Sequence, residues 1–259
     1  MKNTTKPIQL YRIRIGLHRS DRMQAILIVA ALDPIGGAGI LADVKTARAL
    51  GFYPCVALTA ITYQNTCRIS GVFQMPDDVL KRQIDSVVED VELSAVKIGV
   101  SKAFEVPEAE VKVLDPVIKA TVDYELGSKK DYEKLAKRCD VITPNAYEAE
   151  QLSGIGVELP EDAKLAAKTI AERFGCSVVI TGVKGVDVAY DSRNDTFHFV
   201  TAEHTGEEVH GTGCVYSTAL ACYLVSFSFE EAVVKAREFV SNAARNAIKI
   251  GKCLPVVVL

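Results

Sequence analysis

The chain has 259 residues, 49% hydrophobic and 24% charged, with a formal net charge of −3. That is enough chain to bury a large core, and its apolar content excludes wholesale disorder. The near-neutral balance argues against a nucleic-acid footprint, and no apolar run reaches the roughly 18 residues of a membrane span.

Residues 1–22 are basic and lack the apolar stretch and small-residue cleavage site of a secretory signal. Core-like sequence begins after Met23, so residues 1–22 read as an extension and 23–259 as one domain. Ala25–Leu32 is a continuous apolar run ending in Asp33-Pro34, the pattern of a strand buried on both faces. Gly36-Gly37-Ala38-Gly39 follows, then a helical pattern to Leu50 that stops at Gly51. Tyr53–Thr62 is β-rich. Pro76 opens a helix through about Val91, with Asp77 and Asp78 in its first turn. Ala95–Ile98 and Val111–Leu114 are short strands. The stretch between them is too short for a full crossover helix, which predicts a turn there. Asp131–Arg138 is helical and Asp140–Thr143 extended. Asp162–Phe174 is a helix ending at Gly175, and Ser177–Thr181 a strand. Val186–Tyr190 and Thr196–Val200 pair around the turn Ser192–Asp195. Val215–Val225 is an apolar helix, and Phe229–Ile250 a second one, with Ser228 and Glu231 spaced as a capping box. Seven cysteines without a CxxC pair read as small buried side chains in a reducing, cytoplasmic setting, not as a disulfide framework or zinc site.

Strands alternating with helices predict an α/β fold, a mostly parallel sheet covered on both faces. Such sheets bind ligands beyond the carboxyl ends of their strands, and the informative residues stand there. The Gly36–Gly39 cluster lets backbone amides approach a ligand, and it fits neither GxGxxG nor the P-loop. Asp43, one turn into the following helix, is placed to accept hydrogen bonds from an amino or hydroxyl group. Gly211-Thr212-Gly213 opens the late apolar helix and offers free amides to an anion. Cys214 follows, where the helix dipole is expected to lower its thiol pKa and fit it for a base. Asn145 and Glu148 follow a strand, and an acid there suits a magnesium ion held through water. Lys184 follows another strand and is a candidate phosphate contact; Gln64 adds a polar group to the same rim. Together these suggest phosphoryl transfer from a nucleotide to a small hydroxylated molecule.

DPIGGAGILADVKT, TAITYQNT, KIGV, VLDPV, ITPNAYEAE and HGTGC, in this order, resemble the hydroxymethylpyrimidine/phosphomethylpyrimidine kinases of thiamine biosynthesis, within the ribokinase-like superfamily. The resemblance covers about Ala25 to Ile250. It implies a three-layer α/β/α kinase that uses ATP and Mg²⁺, a small aminopyrimidine alcohol as substrate, and a homodimer. Asp43 and Gln64 would then hydrogen-bond the aminopyrimidine, with Ala38, Thr62 and Val100 lining its pocket. Gly211, Thr212 and Gly213 would form the anion hole, with Cys214 as base. Lys184, Asp115, Asn145 and Thr121 would serve the nucleotide, and Glu148 the metal. The sequence Thr181-Gly182-Val183-Lys184 resembles instead the pyridoxal/pyridoxine kinases of the same group. Val122 stands where Ser-Gly is usual. A vitamin B6 kinase and a non-catalytic binding relative are therefore the alternatives.

Overall fold

A computed structural model of the protein describes residues 23–120, 124–201 and 208–259. The expectations for residues 1–22, Thr121 and Val122 fall outside the described residues. Nine strands form one sheet: β1 (Ala25–Leu32), β2 (Tyr53–Gln64), β3 (Ile69–Gln74), β4 (Ala95–Ile98), β5 (Val111–Leu114), β8 (Val141–Ile142), β9 (Ser177–Val183), β10 (Val186–Asp191) and β11 (Thr196–Thr201). Their order is β11-β10-β9-β8-β5-β4-β1-β2-β3. The six from β9 to β2 run parallel, and β3, β10 and β11 are added antiparallel at the edges. A separate ribbon pairs β6 (Lys119–Ala120) with β7 (Tyr124–Glu125).

Strand β1 explains the layering. Its side chains alternate between two cores: Leu27 and Val29 face one, Ile26, Ile28 and Ala30 the other. Burial on both faces is what makes its sequence apolar without interruption. Helices α2 (Asp77–Val88), α3 (Lys129–Ala136), α4 (Ala146–Ser153) and α5 (Pro160–Phe174) supply the first core. The second takes α1 (Gly39–Ala49), α6 (Thr212–Leu224) and α7 (Phe229–Arg245). The three-layer expectation is met. The capping box at Ser228 and Glu231 is present, as is the left-handed Gly175 that ends α5.

Three features differ from expectation, and one expected absence is met. Strand β3 was not expected, because it is an edge strand whose Phe73 is exposed and whose sequence lacks a clean alternation. Helix α7 stops at Arg245, five residues early, since Ile248 turns out to pair with Val256. The connection from β4 to β5 carries no helix, as its length predicted, which leaves a groove of about 1020 Å³ between α2 and residues 101–110. Cys67 and Cys253 form a disulfide, so the reading of all seven cysteines as free is corrected. That bond ties the β2–β3 connection to a C-terminal strap, where Leu254 N donates to Thr66 O and Val256 bridges Ile248. No described helix is long and apolar enough to cross a membrane.

Candidate active site

The chain passes from β1 to β2 on one side, and β4 then returns to pair with β1 on the other. A parallel sheet opens a crevice at such a reversal, past its carboxyl strand ends. A cavity of about 300 Å³ lies there. Its walls come from the ends of successive strands: Asp33 after β1, Thr62 and Gln64 on β2, Val100 after β4, Asp115 after β5, Thr143 after β8 and Thr181 on β9. Two glycine loops meet across it. Ala38 and Gly39 come from the early one, Gly211, Thr212, Gly213 and Cys214 from the start of α6. The larger groove beside α2 has no glycine loop on its walls and lies away from these strand ends.

The contact between the loops depends on glycine. Gly211 has φ +92°, and a Cβ there would strike the Gly37 carbonyl oxygen. Only glycine allows both the left-handed backbone and the approach. The early loop is organised by Asp33, whose carboxylate accepts the amides of Ile35 (2.9 Å), Gly37 (3.2 Å) and Ala38 (3.0 Å). His210 Nε2 lies 3.0 Å from Asp33 Oδ2 and 3.0 Å from Gln64 Nε2. Burial alone would raise the Asp33 pKa, but His210 and these amides outweigh it and hold the carboxyl below its ordinary value.

Beneath the cavity sits a buried charge cluster. Lys97 Nζ is 2.9 Å from Asp43 and 3.6 Å from Asp115. Thr218 donates to Asp43 at 2.8 Å and Ser217 to Asp115 at 3.0 Å. Burial alone would lower the Lys97 ammonium; the two carboxylates instead hold it above its ordinary value.

The structure brings together Ala38, Thr62, Gln64, Val100, Asp115, Asn145, Glu148, Gly211, Thr212, Gly213 and Cys214 at one cavity. It corrects three expectations. Asp43 is fully buried and absent from the cavity wall, because Lys97 and Thr218 take its carboxylate. Burial pushes the Cys214 thiol up to about 12; Lys97 opposes this, and Asp43 and Asp115 add to it. The expected lowering by the helix dipole is thus outweighed. Lys184 is exposed, outside the cavity wall, and forms with Gly185 the left-handed turn between β9 and β10. Glu148, also on the cavity wall, accepts one backbone amide on each oxygen, from Ile118 at 3.2 Å and from Asn145 in the capping box that starts α4, and each oxygen keeps a second lone pair. Sequence reasoning missed Asp33, His210 and Lys97. All three stood inside quoted motifs, and the pairing of the first two spans 177 positions.

Asp115 and Glu148 both line the cavity, and burial together with the Asp115 charge pushes Glu148 up to about 8. Two oxygen-bearing acids that repel each other fit a hard divalent cation.

The family model described as phosphomethylpyrimidine kinase matches residues 33–257. The chain belongs to this family. The hydroxymethylpyrimidine/phosphomethylpyrimidine kinase of Aquifex aeolicus is 36% identical over 246 residues, which is 87% of this chain and 96% of that one. Among solved structures, the pyridoxal kinase from Staphylococcus aureus in complex with AMP-PCP superposes with a TM-score of 0.82 at 32% identity, covering 91% of this chain and 93% of that one. The phosphomethylpyrimidine kinase from Clostridium difficile gives 0.70 at 29% identity, covering 85% and 100%.

Proposed function

We propose that this family member transfers the terminal phosphate of ATP to the hydroxymethyl group of an aminopyrimidine, and then phosphorylates the monophosphate. The observation that carries the reading is the meeting of the two glycine loops over one cavity at the sheet's reversal. The amides of Gly211, Thr212 and Gly213 would receive the transferred phosphoryl group, with α6 adding its positive end. Gln64 and the Asp33 loop, with Ala38, Thr62 and Val100, would hold the ring. Catalysis of this kind is positioning and charge stabilisation. Cys214 lines the cavity at the start of α6. Asp115, Asn145 and Glu148 face the nucleotide side; the first and last would hold magnesium, which offsets phosphate charge when bound. The same reading takes the protein as a cytoplasmic homodimer, with Tyr63 and Phe73 exposed at the β2–β3 edge.

The test is ATP consumption with 4-amino-5-hydroxymethyl-2-methylpyrimidine, then with its monophosphate. Turnover on both supports the reading. The second reading, a vitamin B6 kinase, is favoured by the fit to the Staphylococcus aureus pyridoxal kinase. Turnover on pyridoxal alone would replace the first reading with it. Ligand binding without turnover on either would favour the non-catalytic relative.

A further inference from the structure

We propose that His210, held by Asp33, is a positioning residue that sets the orientation of the Gln64 amide, and so fixes which way round a substrate ring lies in the cavity. The inference rests on the aminopyrimidine reading above.

The argument starts from proton counting. Asp33 is ionised and can only accept, so the ring nitrogen 3.0 Å from it, His210 Nε2, carries a proton. A protonated Nε2 has no lone pair for the Gln64 group that lies 3.0 Å away. The Gln64 oxygen must therefore face His210, where it shares the one Nε2–H with Asp33 in a three-centre bond. A second conflict points the same way. The Thr62 hydroxyl has one proton, which it gives to Leu32 O at 2.9 Å. The Gln64 atom 3.1 Å from that hydroxyl must then be the donor, its nitrogen. One amide orientation satisfies both sites, and its mirror satisfies neither. Amide nitrogen and oxygen are told apart by their partners alone, so this network is what decides.

His210 is itself immobilised. Its amide donates to Pro255 O at 2.9 Å in the C-terminal strap, which the Cys67–Cys253 disulfide ties to the hairpin bearing Gln64. A Cβ on Gly37 would lie 2.8 Å from the imidazole Cδ2, so the glycine is what admits the ring. Nδ1 has no hydrogen-bond partner among the described residues, so Nε2 is the nitrogen tied into the network.

With one N–H given to Thr62 and the oxygen engaged by His210, Gln64 keeps one N–H and one lone pair. That pair matches an amidine-like edge, a ring nitrogen beside an amino group. Reversing the amide would reverse the ring and turn its hydroxymethyl group away from the Gly211–Gly213 amides. Loss of His210 should thus produce non-productive binding.

His210→Phe keeps an aromatic ring but cannot donate; His210→Gln restores a donor at the Nε2 position. We expect His210→Phe to lower kcat about 10-fold or more, with the calorimetric Kd for the aminopyrimidine changed by less than roughly threefold. His210→Gln should recover most of the loss. A His210→Phe enzyme with the original kcat, or His210→Gln as impaired as His210→Phe, would overturn the proposal. Nitrogen NMR of the unmodified protein decides the relay without any substrate: Nε2 must be protonated, and a bare Nε2 refutes the relay. An unmodified protein that neither binds nor turns over the aminopyrimidine refutes the substrate reading instead, and the NMR result still decides the relay.

Discussion

Asp33 and Asp43 stand ten residues apart, at either end of the same glycine turn, and do opposite work. Asp33 ends a strand, so its carboxylate reaches the cavity and gathers three loop amides and an imidazole. Asp43 lies one turn into α1, on the face that packs against the sheet, where Lys97 and Thr218 consume it. A residue's distance in sequence from a binding loop thus says less than the face it occupies. Strand ends point at ligands, and a helix's inner face points at the core.

The sharpest way to break this contrast is to remove each acid in turn. Asp43→Ala leaves Lys97 buried with one fewer partner and should cost about 3–5 kcal/mol of folding stability. Asp33→Ala should cost less, about 1–3 kcal/mol for its unmet amides, but weaken aminopyrimidine binding far more. Urea unfolding and calorimetry read the two effects. An Asp43→Ala protein of normal stability but lost ligand affinity would return Asp43 to the binding site.

The acids on the nucleotide side sharpen the comparison through pH. Burial, then repulsion by Asp115, raises Glu148 from its ordinary 4.5 to about 8. In that window the folded chain holds a proton that the unfolded chain has shed. Stability should therefore fall as pH rises from about 4.5 to about 8. Glu148→Gln keeps an oxygen for the capping box and should flatten the fall. Asp33, whose folded pKa is lowered, acts with the opposite sign and only in acid: its contribution is present above the ordinary value of 3.8 and lost as pH drops through the folded one. An unfolding curve for Glu148→Gln that keeps the original pH slope would show that Glu148 is not the group responsible.

Cys214 offers a smaller, chemical reading of the same principle. It shares the helix start with the phosphoryl cup, yet burial pushes its thiol up to about 12. Iodoacetamide near neutral pH should modify it at least ~100-fold more slowly than a free thiol of pKa about 8.5. Peptide mass spectrometry would follow the reaction. Modification at the free-thiol rate would restore the thiolate.

Much of this fold was legible because its central strands announce themselves. β1 is an apolar run and β5 a short Val-Lys-Val-Leu strand, each closed by Asp-Pro, and both begin and end where the pattern places them. The rim was legible because glycine loops and polar residues follow strands. What escaped has one physical cause: it depends on partners distant in sequence. Lys97 meets Asp43 across 54 positions, His210 meets Asp33 across 177, and Cys67 meets Cys253 across 186. Local pattern carries no signal for such pairs. Edge strand β3 escaped for a different reason, since half-solvated β-structure lacks the continuous apolar run that marks β1.

Lys184 provides the smallest and last test. Read as a phosphate contact, it turns out to be the first residue of a two-residue turn, with φ +50° followed by Gly185 at φ +80°. Two left-handed residues joining paired antiparallel strands make a type I′ turn, for which Asn-Gly is the favoured sequence. A lysine there bears mild backbone strain, and its charge is solvated. Lys184→Asn should therefore stabilise the protein by up to about 1 kcal/mol and leave the KM for ATP within roughly twofold. The two readouts are independent. A rise in stability with a tenfold higher KM would mean that the nucleotide extends past Thr181, over the β9–β10 turn, and that strain in the turn is tolerated because the side chain binds phosphate.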